Sequence, residues 1–485
     1  MLNQALKTRL PRRIVRLDEL AHNLWWSWHQ QARDLFRILD YPLWRTSGHN
    51  PVKQLRDIDP DKLKAAASDP AFLTLYDFVM AAYDADMSSQ DKWFNTNYPD
   101  LLRGPIASFS MEFAIHNSLP IYAGGLGILA GDTCKEASDL GLPLVGVGFM
   151  YPQGYFYQRI SVQGWQEEVY KQLDFTEAPI TPILSSRGRR VLAKVELDNR
   201  SLSIAVWRVQ VGRVNIYLLD TDIEENPPQD RQLSARLYEA DQDLRIKQEI
   251  VLGIGGVRVL QALGIKPAIW HANEGHTAFM MLERVRGEIE KGASFDEALQ
   301  MVRDTTVFTT HTPVPAGHDV FPAHLVEQCF HRYWSSLGMD SERFIKLGQQ
   351  NGIASESFNM TALAIATSGQ CNAVSELHGK VSRRIWNVCW PGIKEDEIPI
   401  SHVTNGIHVP TWIAPELGQV FEKYLGKGWL EKHDNPKIWE RVMDIPDEEL
   451  WSVRQLLKHN LIVTVRERAR KRWDDVEIAP QQVLA

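Results

Sequence analysis

Apolar residues recur with helical spacing through the N-terminal part of the chain. Those that share one helical face are Leu17, Leu20, Leu24 and Trp28. Phe36 and Leu39 continue the pattern. Because apolar residues three and four positions apart form one face of an α-helix, the spacing predicts a helical N-terminal domain over residues 1–102.

Tryptophan is concentrated in the same segment, at Trp25, Trp26, Trp28 and Trp44. Aromatic rings can serve as platforms for sugars, but tryptophan at helical spacing is more often part of a core because it buries a large area. We therefore expect these tryptophan side chains to be buried. The polar stretch TSGHNP interrupts the periodicity and predicts a loop.

From about residue 103 the pattern changes to short apolar runs that alternate with helical segments. The runs that predict buried strands are 105–115, 142–149, 266–273, 305–311, 371–375 and 400–406. Alternating runs that predict an antiparallel insertion are 191–197, 203–209 and 214–219. Strands that alternate with helices form a parallel sheet covered on both faces, so the predicted fold class is α/β and the domain covers residues 103–410. Residues 411–485 are charged and predicted to be helical.

Polar residues follow several of these strands. They are Glu112, His271, Asn273, His276, His311 and Asn405. Ligands bind beyond the carboxyl ends of the strands in a parallel α/β sheet, so we expect these side chains to line one site. A single loop histidine is more often a structural residue than a ligand, and it is the number of polar strand ends that favours a site.

The composition restricts the classes of function. The 485-residue chain is 44% hydrophobic and 24% charged, which is typical of a soluble protein of two or three domains. Its net charge of −8, without a basic stripe, argues against a nucleic-acid partner. No apolar run has transmembrane length and no secretory leader is recognised, so we expect a cytoplasmic protein without a membrane partner.

The cysteine and histidine spacings predict no metal site. Cys134, Cys329, Cys371 and Cys389 are widely separated and form no Cys-x-x-Cys pair, which is typical of reduced, buried thiols. Two histidines bracket Glu274, but they are five positions apart and do not match the His-Glu-x-x-His zinc pattern.

The stretch IYAGGLGILAGD, residues 121–132, contains four glycines and leads directly into a predicted helix. Glycine marks a backbone that another group approaches closely, and the N–H groups at a helix N-terminus bind anions. The loop fits Gly-x-Gly-x-x-Ala, but the preceding HNSLPIYA predicts a loop and residues 142–152 contain no acidic residue, which disfavours NAD. Since no P-loop or Gly-x-Ser-x-Gly motif occurs, the residues alone predict a site for a polar, anionic substrate.

Longer blocks carry a family resemblance. They run from SMEFAIHNSLPIYAGGLGILAGD through LYEADQDLRIKQE, WHANEGHTAFMMLE, TTHTPVPAGHDVF and NMTALAIATSGQCNAVSELHGKVSR to HVTNGIHVPTW. In these blocks and in their order the chain resembles the alpha-glucan (glycogen/maltodextrin) phosphorylases, most of all their shorter bacterial and archaeal branch. The match runs from about residue 15 to the C-terminus.

The resemblance implies a two-lobed glycosyltransferase-B fold, in which a Rossmann-like N-terminal lobe follows the helical domain and pyridoxal 5′-phosphate lies between the lobes. It implies transfer of a terminal glucosyl unit from an alpha-1,4-glucan to orthophosphate, which gives glucose 1-phosphate. The positions that match the loop facing the substrate phosphate and the glucose are Gly124, Gly125, Leu126 and Gly127.

The resemblance also implies roles for strand-end residues. His311 and Asn405 match positions that hold the glucose near its 6-hydroxyl group. Asn273, Glu274 and His276 match the acceptor-sugar side, although Glu274 stands where many relatives have aspartate. No catalytic residue is assigned to this part of the family's chain.

The family's cofactor lysine lies in a Gly-Thr-Ser-Gly-Met-Lys block of the second lobe, and no stretch of this chain matches that block. ATSGQCN, residues 366–372, shares three letters with it but belongs to another block and has no lysine. We therefore expect the chain to stop before the second lobe, to need that lobe in cis or in trans, and to be inactive alone.

Two alternatives stay open at this stage. The first alternative to a phosphorylase is a non-catalytic fragment that binds glucan. The second is a transferase of the starch- or glycogen-synthase kind that uses a nucleotide sugar. The synthase loop usually carries a lysine just before its glycines, whereas Tyr122 and Ala123 occupy those positions here.

Overall fold

The computed structural model describes residues 2–101, 104–161, 163–198, 200–349 and 356–474. The chain divides into two compact units, Met1–Ile407 and His408–Ala485. The first unit begins with helices only: α1 Leu2–Arg9, α2 Leu17–His22, α3 Gln30–Leu39, α4 Tyr41–Thr46, α5 Pro51–Asp57, α6 Pro60–Ala66, α7 Pro70–Ser88 and α8 Trp93–Asn97.

Local sequence explains where these helices start. The Asn50 side chain caps α5 by accepting hydrogen bonds from the amides of Val52 and Lys53. Asp69 caps α7 in the same way, and a proline follows each cap at the first helical position. Proline has no N–H to leave unsatisfied there and its fixed φ angle suits the first turn, so these dipeptides define the helix starts.

The predicted burial of the tryptophans is confirmed. Trp25, Trp26, Trp28 and Trp44 are all less than 9% exposed. Trp26 packs edge-to-face against Phe36 and Trp44, with ring centroids 5.9 and 5.8 Å apart. These aromatic contacts hold the helices together, and none of these rings is available to a sugar.

The strands that follow are β1 Ile106–Phe109, β2 Leu144–Phe149, β3 Tyr157–Ile160, β4 Gln166–Val169, β5 Thr181–Pro182, β6 Leu192–Leu197, β7 Arg200–Val211, β8 Val214–Asp220, β9 Ile269–Asn273, β10 Thr306–Thr310, β11 Val320–Pro322, β12 Ser357–Asn359, β13 Gln370–Ala373 and β14 Ile400–His402. The main sheet has the order β14-β13-β10-β9-β1-β2-β8-β7-β5, with β6 paired to β7. All neighbours from β14 to β8 are parallel. The predicted parallel α/β sheet is therefore confirmed.

The predicted antiparallel insertion belongs to this same sheet. Strand β7 is antiparallel to β6 and β8, while β8 pairs in parallel with β2. Two small antiparallel pairs, β3 with β4 and β11 with β12, were not predicted from the sequence. Their strands are only three or four residues long, which is too short for a clear alternation.

Helices connect the strands of this α/β unit. They are α9 Gly125–Leu140, α10 Pro228–Arg231, α11 Gln242–Ile250, α12 Gly256–Ala262, α13 Phe279–Ile289, α14 Phe295–Asp304, α15 Ala323–Phe330, α16 Ser341–Lys346, α17 Met360–Thr367 and α18 Glu376–Trp386. Gly131 allows α9 to lie close to the chain after β1, because a Cβ at this position would be 2.0 Å from the Ala114 carbonyl oxygen.

The second unit consists of helices: α19 Val409–Trp412, α20 Pro415–Leu425, α21 Pro436–Glu440 and α22 Asp447–Asp474. Phe421, Trp429 and Trp439 form a small edge-to-face cluster with ring centroids 5.3 to 6.0 Å apart. Within the described part of the chain, no helix combines the length and the apolar character needed to cross a lipid bilayer.

Candidate functional site

The candidate site lies beyond the carboxyl ends of neighbouring parallel strands. Strands β1, β9, β10, β13 and β14 are adjacent in the sheet and point the same way. Their carboxyl ends therefore meet at one edge, and the polar residues that follow them come together there. The glycine-rich segment before α9 reaches the same edge, since Leu126 and Leu129 line cavities there with residues that follow β9, β10 and β14.

Glu112 holds the glycine loop in place. Its Oε2 accepts hydrogen bonds from the amides of Ala123 at 2.7 Å and Gly124 at 3.0 Å. Its Oε1 accepts a hydrogen bond of 2.7 Å from the hydroxyl group of Tyr238. The carboxylate is 2% exposed. A buried carboxylate with these three donors fixes the position of the loop backbone.

The glycines of the loop have different roles. A Cβ on Gly127 would lie 2.5 Å from Glu112 Oε2, so this glycine permits close packing on the carboxylate. No atom lies within 4 Å of a Cβ placed on Gly124 or Gly125, and both residues are exposed. Packing therefore explains Gly127, whereas the first two glycines leave an open approach to the backbone.

The amides that remain for a ligand belong to the first turn of α9. Gly124 donates its N–H to Glu112, while Gly125, Leu126 and Gly127 occupy the first three helical positions. Amides in the first turn of an α-helix have no acceptor within the helix, and the helix dipole places partial positive charge beside them. This geometry suits a negatively charged or strongly polar ligand.

A cavity of about 680 Å³ opens beside Leu126. Glu274 and His276, after β9, line it together with Tyr238, Arg245 and the turn at residues 315–321. Tyr238 and Glu274 both have positive φ angles, of 60° and 77°. Non-glycine residues in this conformation are strained and concentrate at functional sites.

Buried charges fix one wall of this cavity. Arg245 Nη2 donates a hydrogen bond of 3.0 Å to Asp319, and its Nε lies 3.0 Å from Glu249. Burial raises the pKa of Glu249 well above its ordinary value. Burial also opposes the charge of Asp319, but the Arg245 guanidinium lowers the pKa of that carboxyl. Asp319 is thus the charged partner of Arg245, and the pair joins α11 to the turn.

Glu274 binds the backbone that carries His311. Its Oε2 accepts hydrogen bonds from the amides of His311 at 2.7 Å and Thr312 at 3.0 Å and from the Thr312 hydroxyl at 3.0 Å. Its Oε1 accepts one from the amide of Gly275 at 2.9 Å. A carboxylate occupied in this way positions the loop after β10 rather than offering its oxygens to a sugar.

A smaller cavity of about 240 Å³ contains Asn273, Asn405 and side chains of the second turn of α9. A hydrogen-bonded row crosses four neighbouring strands at its floor. Ser108 Oγ lies 3.1 Å from His271 Nδ1, His271 Nε2 lies 2.9 Å from Thr309 Oγ1, and Thr309 donates to Asn372 at 2.9 Å. The side chains in this row are uncharged, and they can form hydrogen bonds with the hydroxyl groups of a ligand.

Asn273 and His311 are direct neighbours. His311 Nε2 is 2.5 Å from Asn273 Oδ1, and Asn273 Nδ2 donates to Ser110 Oγ at 3.1 Å. Asn273 therefore lies with Asn405 in the smaller cavity, whereas Glu274 and His276 face the larger one. Residues around this strand end serve the two cavities because β9 ends at Asn273 and the backbone turns at Glu274, whose φ angle is 77°.

The histidines of the site are neutral. Burial lowers the pKa of His271 to about 4 and that of His276 to about 3. Burial also lowers the pKa of His311. His276 Nε2 accepts a hydrogen bond from the amide of Met111 at 3.3 Å, which requires an unprotonated nitrogen. Neutral imidazoles can donate to and accept from hydroxyl groups without adding charge.

Sequence reasoning missed several residues that build the site. They are Ser108, Tyr238, Arg245, Asp319, Thr309 and Asn372. Tyr238 and Arg245 lie in LYEADQDLRIKQE, a block that the resemblance to the family already includes. Their contacts to Glu112 and Asp319 span 126 and 74 positions, and no local pattern records such contacts.

Comparisons with known proteins show the family to which the chain belongs. A family model described as "Carbohydrate phosphorylase" matches residues 257–483. The maltodextrin phosphorylase of Thermococcus litoralis is 43% identical over 97% of this chain and 56% of its own length. The chain belongs to the carbohydrate phosphorylase family.

Other relatives support this family membership. The glycogen phosphorylase of Aquifex aeolicus is 41% identical over 97% of this chain and 66% of its own length. For the glycogen phosphorylase of Mycobacterium tuberculosis the identity is 41%, over 96% of this chain and 56% of the relative. This phosphorylase-family chain thus spans between 56% and 66% of the length of these relatives. Residues 10–119 match a family described as a protein of unknown function, DUF3417.

Pyridoxal 5′-phosphate, the cofactor that the resemblance implies, is held through a Schiff base with a lysine. Among the described residues that line the two cavities, none is a lysine. Lys135 lies on α9 and is 3% exposed, but its ammonium group lies over the ring of Trp28 and it lines neither cavity. The described residues that line these two cavities therefore do not by themselves form such a cofactor site.

Proposed function

We propose that this chain supplies the glycine-loop side of an alpha-glucan phosphorylase site. The complete enzyme would transfer a terminal glucosyl unit from an alpha-1,4-glucan to orthophosphate and release glucose 1-phosphate. The observation that carries the proposal is the open first turn of α9 beside cavities lined by neutral histidines, in a chain 41–43% identical to glycogen and maltodextrin phosphorylases.

Each group of site residues has a part in this proposal. The amides of Gly125, Leu126 and Gly127 would stabilise negative charge that develops on the phosphate during transfer. Gly124 positions this turn through Glu112. His311 and Asn405 would hold the 6-hydroxyl end of the glucose together with Asn273, while Glu274 and His276 form the wall on the acceptor side.

The proposal includes a second lobe and its cofactor. The lysine for pyridoxal 5′-phosphate would come from a second lobe, in cis or in trans, and the two lobes would form a glycosyltransferase-B fold. Domain boundaries at residues 102 and 410 belong to the same proposal. Without the second lobe the edge of the sheet would be open to water. A second lobe is needed because oriented amides stabilise charge effectively only in a site with little water.

The decisive experiment is the phosphate-dependent release of glucose 1-phosphate from maltoheptaose. We expect release by the protein purified from its source cell, with an intact mass above the 55.4 kDa of this chain, and none by the 485-residue chain alone. Release by the chain alone would refute the need for a second lobe. Absence of release by the source protein, with sugar transfer from a labelled nucleotide donor instead, would replace the phosphorylase by the synthase alternative.

Gly125 offers a test of the amide cradle with a matched control. Neither Gly125→Asp nor Gly125→Ala meets an atom within 4 Å at Cβ, so both variants should fold. The aspartate puts a negative charge at the first helical position, where the phosphate would lie. We expect Gly125→Asp to reduce phosphorolysis by at least about a hundredfold, as loss of oriented amide stabilisation does, and Gly125→Ala by much less. Glucan binding that persists without phosphorolysis in the unmodified protein would favour the non-catalytic alternative.

A further inference from the structure

The hairpin formed by β3 and β4 has two chemically different faces. In its antiparallel register Tyr157 pairs with Val169 and Ile160 with Gln166. The amide of Ser161 donates to the Trp165 carbonyl at 2.8 Å, which extends the pairing by one step. Since side chains alternate along a strand, one face carries Tyr157, Arg159, Trp165 and Glu167. We call this the aromatic face of the hairpin.

Side-chain contacts confirm the assignment of the faces. Arg159 Nε donates to Glu167 Oε2 at 2.7 Å across the aromatic face. On the opposite face Gln158 Nε2 donates to Gln166 Oε1 at 2.7 Å. Ile160 shares that opposite face, so the hairpin offers an apolar residue on each side.

The aromatic face is exposed to solvent, with the Lys171 ammonium group 5.0 Å from the centre of the Tyr157 ring. Trp165 is 76% exposed and Tyr157 is 47% exposed. The Arg159 and Glu167 side chains between them are 62% and 42% exposed. Tryptophan and tyrosine normally bury large areas, so two such rings presented outward on one face mark a binding surface.

The spacing of the rings sets the size of the ligand. Trp165 lies opposite Ser161, four residues along the strand from Tyr157. At about 3.3 Å per residue the two rings are about 13 Å apart along the strand. A single monosaccharide cannot contact both rings, whereas a short oligosaccharide can.

The chemistry of the face suits a neutral sugar chain. Each pyranose ring has an apolar C–H surface that packs on an aromatic ring, and hydroxyl groups that hydrogen-bond at its rim. The Arg159–Glu167 ion pair between the rings offers both donors and acceptors and adds no net charge. A nucleic acid would need a basic stripe, and a lipid surface would need apolar residues in place of this central ion pair.

The base of the hairpin touches the candidate site. Gly154 has φ of 61°, and a Cβ there would lie 2.5 Å from the carbonyl oxygen of Pro120, which precedes the glycine loop. The amide of Leu237 donates to the Gly154 carbonyl at 3.0 Å, and the next residue, Tyr238, lines the larger cavity. The segment that leads into the hairpin is therefore hydrogen-bonded to the residue before Tyr238, beside the larger cavity.

We propose that the aromatic face of the β3–β4 hairpin binds an outer segment of the alpha-glucan, through Tyr157 and Trp165 with the Arg159–Glu167 pair between them. This inference rests on the proposed alpha-glucan substrate. The hairpin extends the site from one reacting glucose to a chain, so it raises the affinity for long glucans and leaves that for glucose unchanged.

The test compares variants of the two faces in the full chain. Binding is measured by isothermal titration with maltoheptaose and by migration in native gels that contain glycogen, with glucose as the short ligand. We expect Trp165→Ala and Tyr157→Ala each to weaken maltoheptaose binding about five- to tenfold, as loss of an aromatic contact does. Ile160→Ala, on the opposite face of the same hairpin, should bind maltoheptaose as the unmodified chain does.

Each other outcome overturns the inference. Unchanged maltoheptaose affinity in Trp165→Ala and Tyr157→Ala would remove the hairpin from the glucan path while leaving the proposed function intact. If Trp165→Ala instead lowers the mass in sedimentation without a change in glucan affinity, the hairpin is a contact between copies of this chain. Failure of the unmodified chain and of the source protein to bind any alpha-glucan would reject the proposed function itself.

Discussion

Glu112 is the residue on which the geometry of the glycine loop depends most. Its carboxylate joins Ala123, Gly124 and Tyr238, and it packs against Gly127. Tyr238 remains protonated because its burial and the neighbouring carboxylate raise its pKa, so it can only donate to Glu112 through its hydroxyl hydrogen. A single buried carboxylate thus links the strand end after β1 to the loop and to the larger cavity.

Replacing Glu112 gives a graded prediction. Glu112→Ala leaves the amides of Ala123 and Gly124 and the Tyr238 hydroxyl without their acceptor, at about 1–3 kcal/mol for each buried group that stays unsatisfied. Glu112→Gln keeps one oxygen for the amides and presents its NH₂ group to the Tyr238 oxygen. We expect a large loss of stability in thermal unfolding for the alanine variant and a small one for the glutamine variant. Equal losses would show that charge, not acceptor geometry, holds the loop.

The backbone of Glu274 is held in a strained conformation. Its φ angle of 77° costs about 1–3 kcal/mol, and three hydrogen bonds to the loop after β10 and one to the Gly275 amide offset that cost. The backbone at this residue is thereby aimed so that Asn273 reaches His311 while His276 faces the larger cavity. All four hydrogen bonds of the Glu274 carboxylate position backbone and side-chain groups of this chain.

At the scale of elements, the wall of the larger cavity depends on the attachment of α11 to the turn at residues 315–321. Arg245 on α11 and Asp319 in the turn form this link, with the buried Glu249 beside them. The Arg245 guanidinium also lies 5.1 Å from the centre of the Tyr238 ring. Helix, turn and Tyr238 therefore keep their relative positions through one cation.

Removing the Arg245 guanidinium should lower the free energy of unfolding. Arg245→Ala removes the partner of the Asp319 carboxylate, whose side chain is 27% exposed, and losing a hydrogen bond to a charged group costs about 1.5–3 kcal/mol. We expect a clear drop in the thermal unfolding midpoint of the first compact unit. Arg343→Ala is the matched control, because Arg343 is 52% exposed in its side chain and should change stability by at most about 0.5 kcal/mol. Equal midpoints for the two variants would contradict the role of the link.

At the scale of the whole molecule, the first compact unit contains histidines that burial keeps neutral. Burial lowers the pKa values of His116 and His276 to about 3 and that of His271 to about 4. In the unfolded chain these groups titrate near 6.5. Below that pH the unfolded state binds protons that the folded state does not, so acid favours unfolding.

Stability should therefore be full above pH about 6.5 and fall as the pH drops toward 4. Each such histidine steepens the fall by about 1.4 kcal/mol per pH unit. We expect His276→Gln, which can still accept from the Met111 amide, to reduce the loss of the unfolding midpoint between pH 7 and 5. His459→Gln, at an exposed position in the second compact unit, should leave it unchanged. A pH profile unaffected by His276→Gln would mean that other groups govern acid unfolding.

Much of this architecture follows from local sequence. Alternating short apolar runs and helical segments determine a parallel α/β sheet, because each strand and helix must bury its apolar face on its neighbours. The burial of Trp26 and Trp44 and the polar strand ends at Asn273 and His311 follow from periodicity in the same way. These features depend on residues that are near one another in the chain.

The tertiary structure alone decided the rest. Sequence treats Gly124, Gly125 and Gly127 alike, yet only Gly127 packs on Glu112, while the other two are open to solvent. The hydrogen bond from Tyr238 to Glu112 closes a separation of 126 residues. Local periodicity specifies which face of an element is buried, but it does not specify which distant side chain fills a hydrogen-bond position. That choice is made when the sheet brings the strand ends together, and it determines the candidate site.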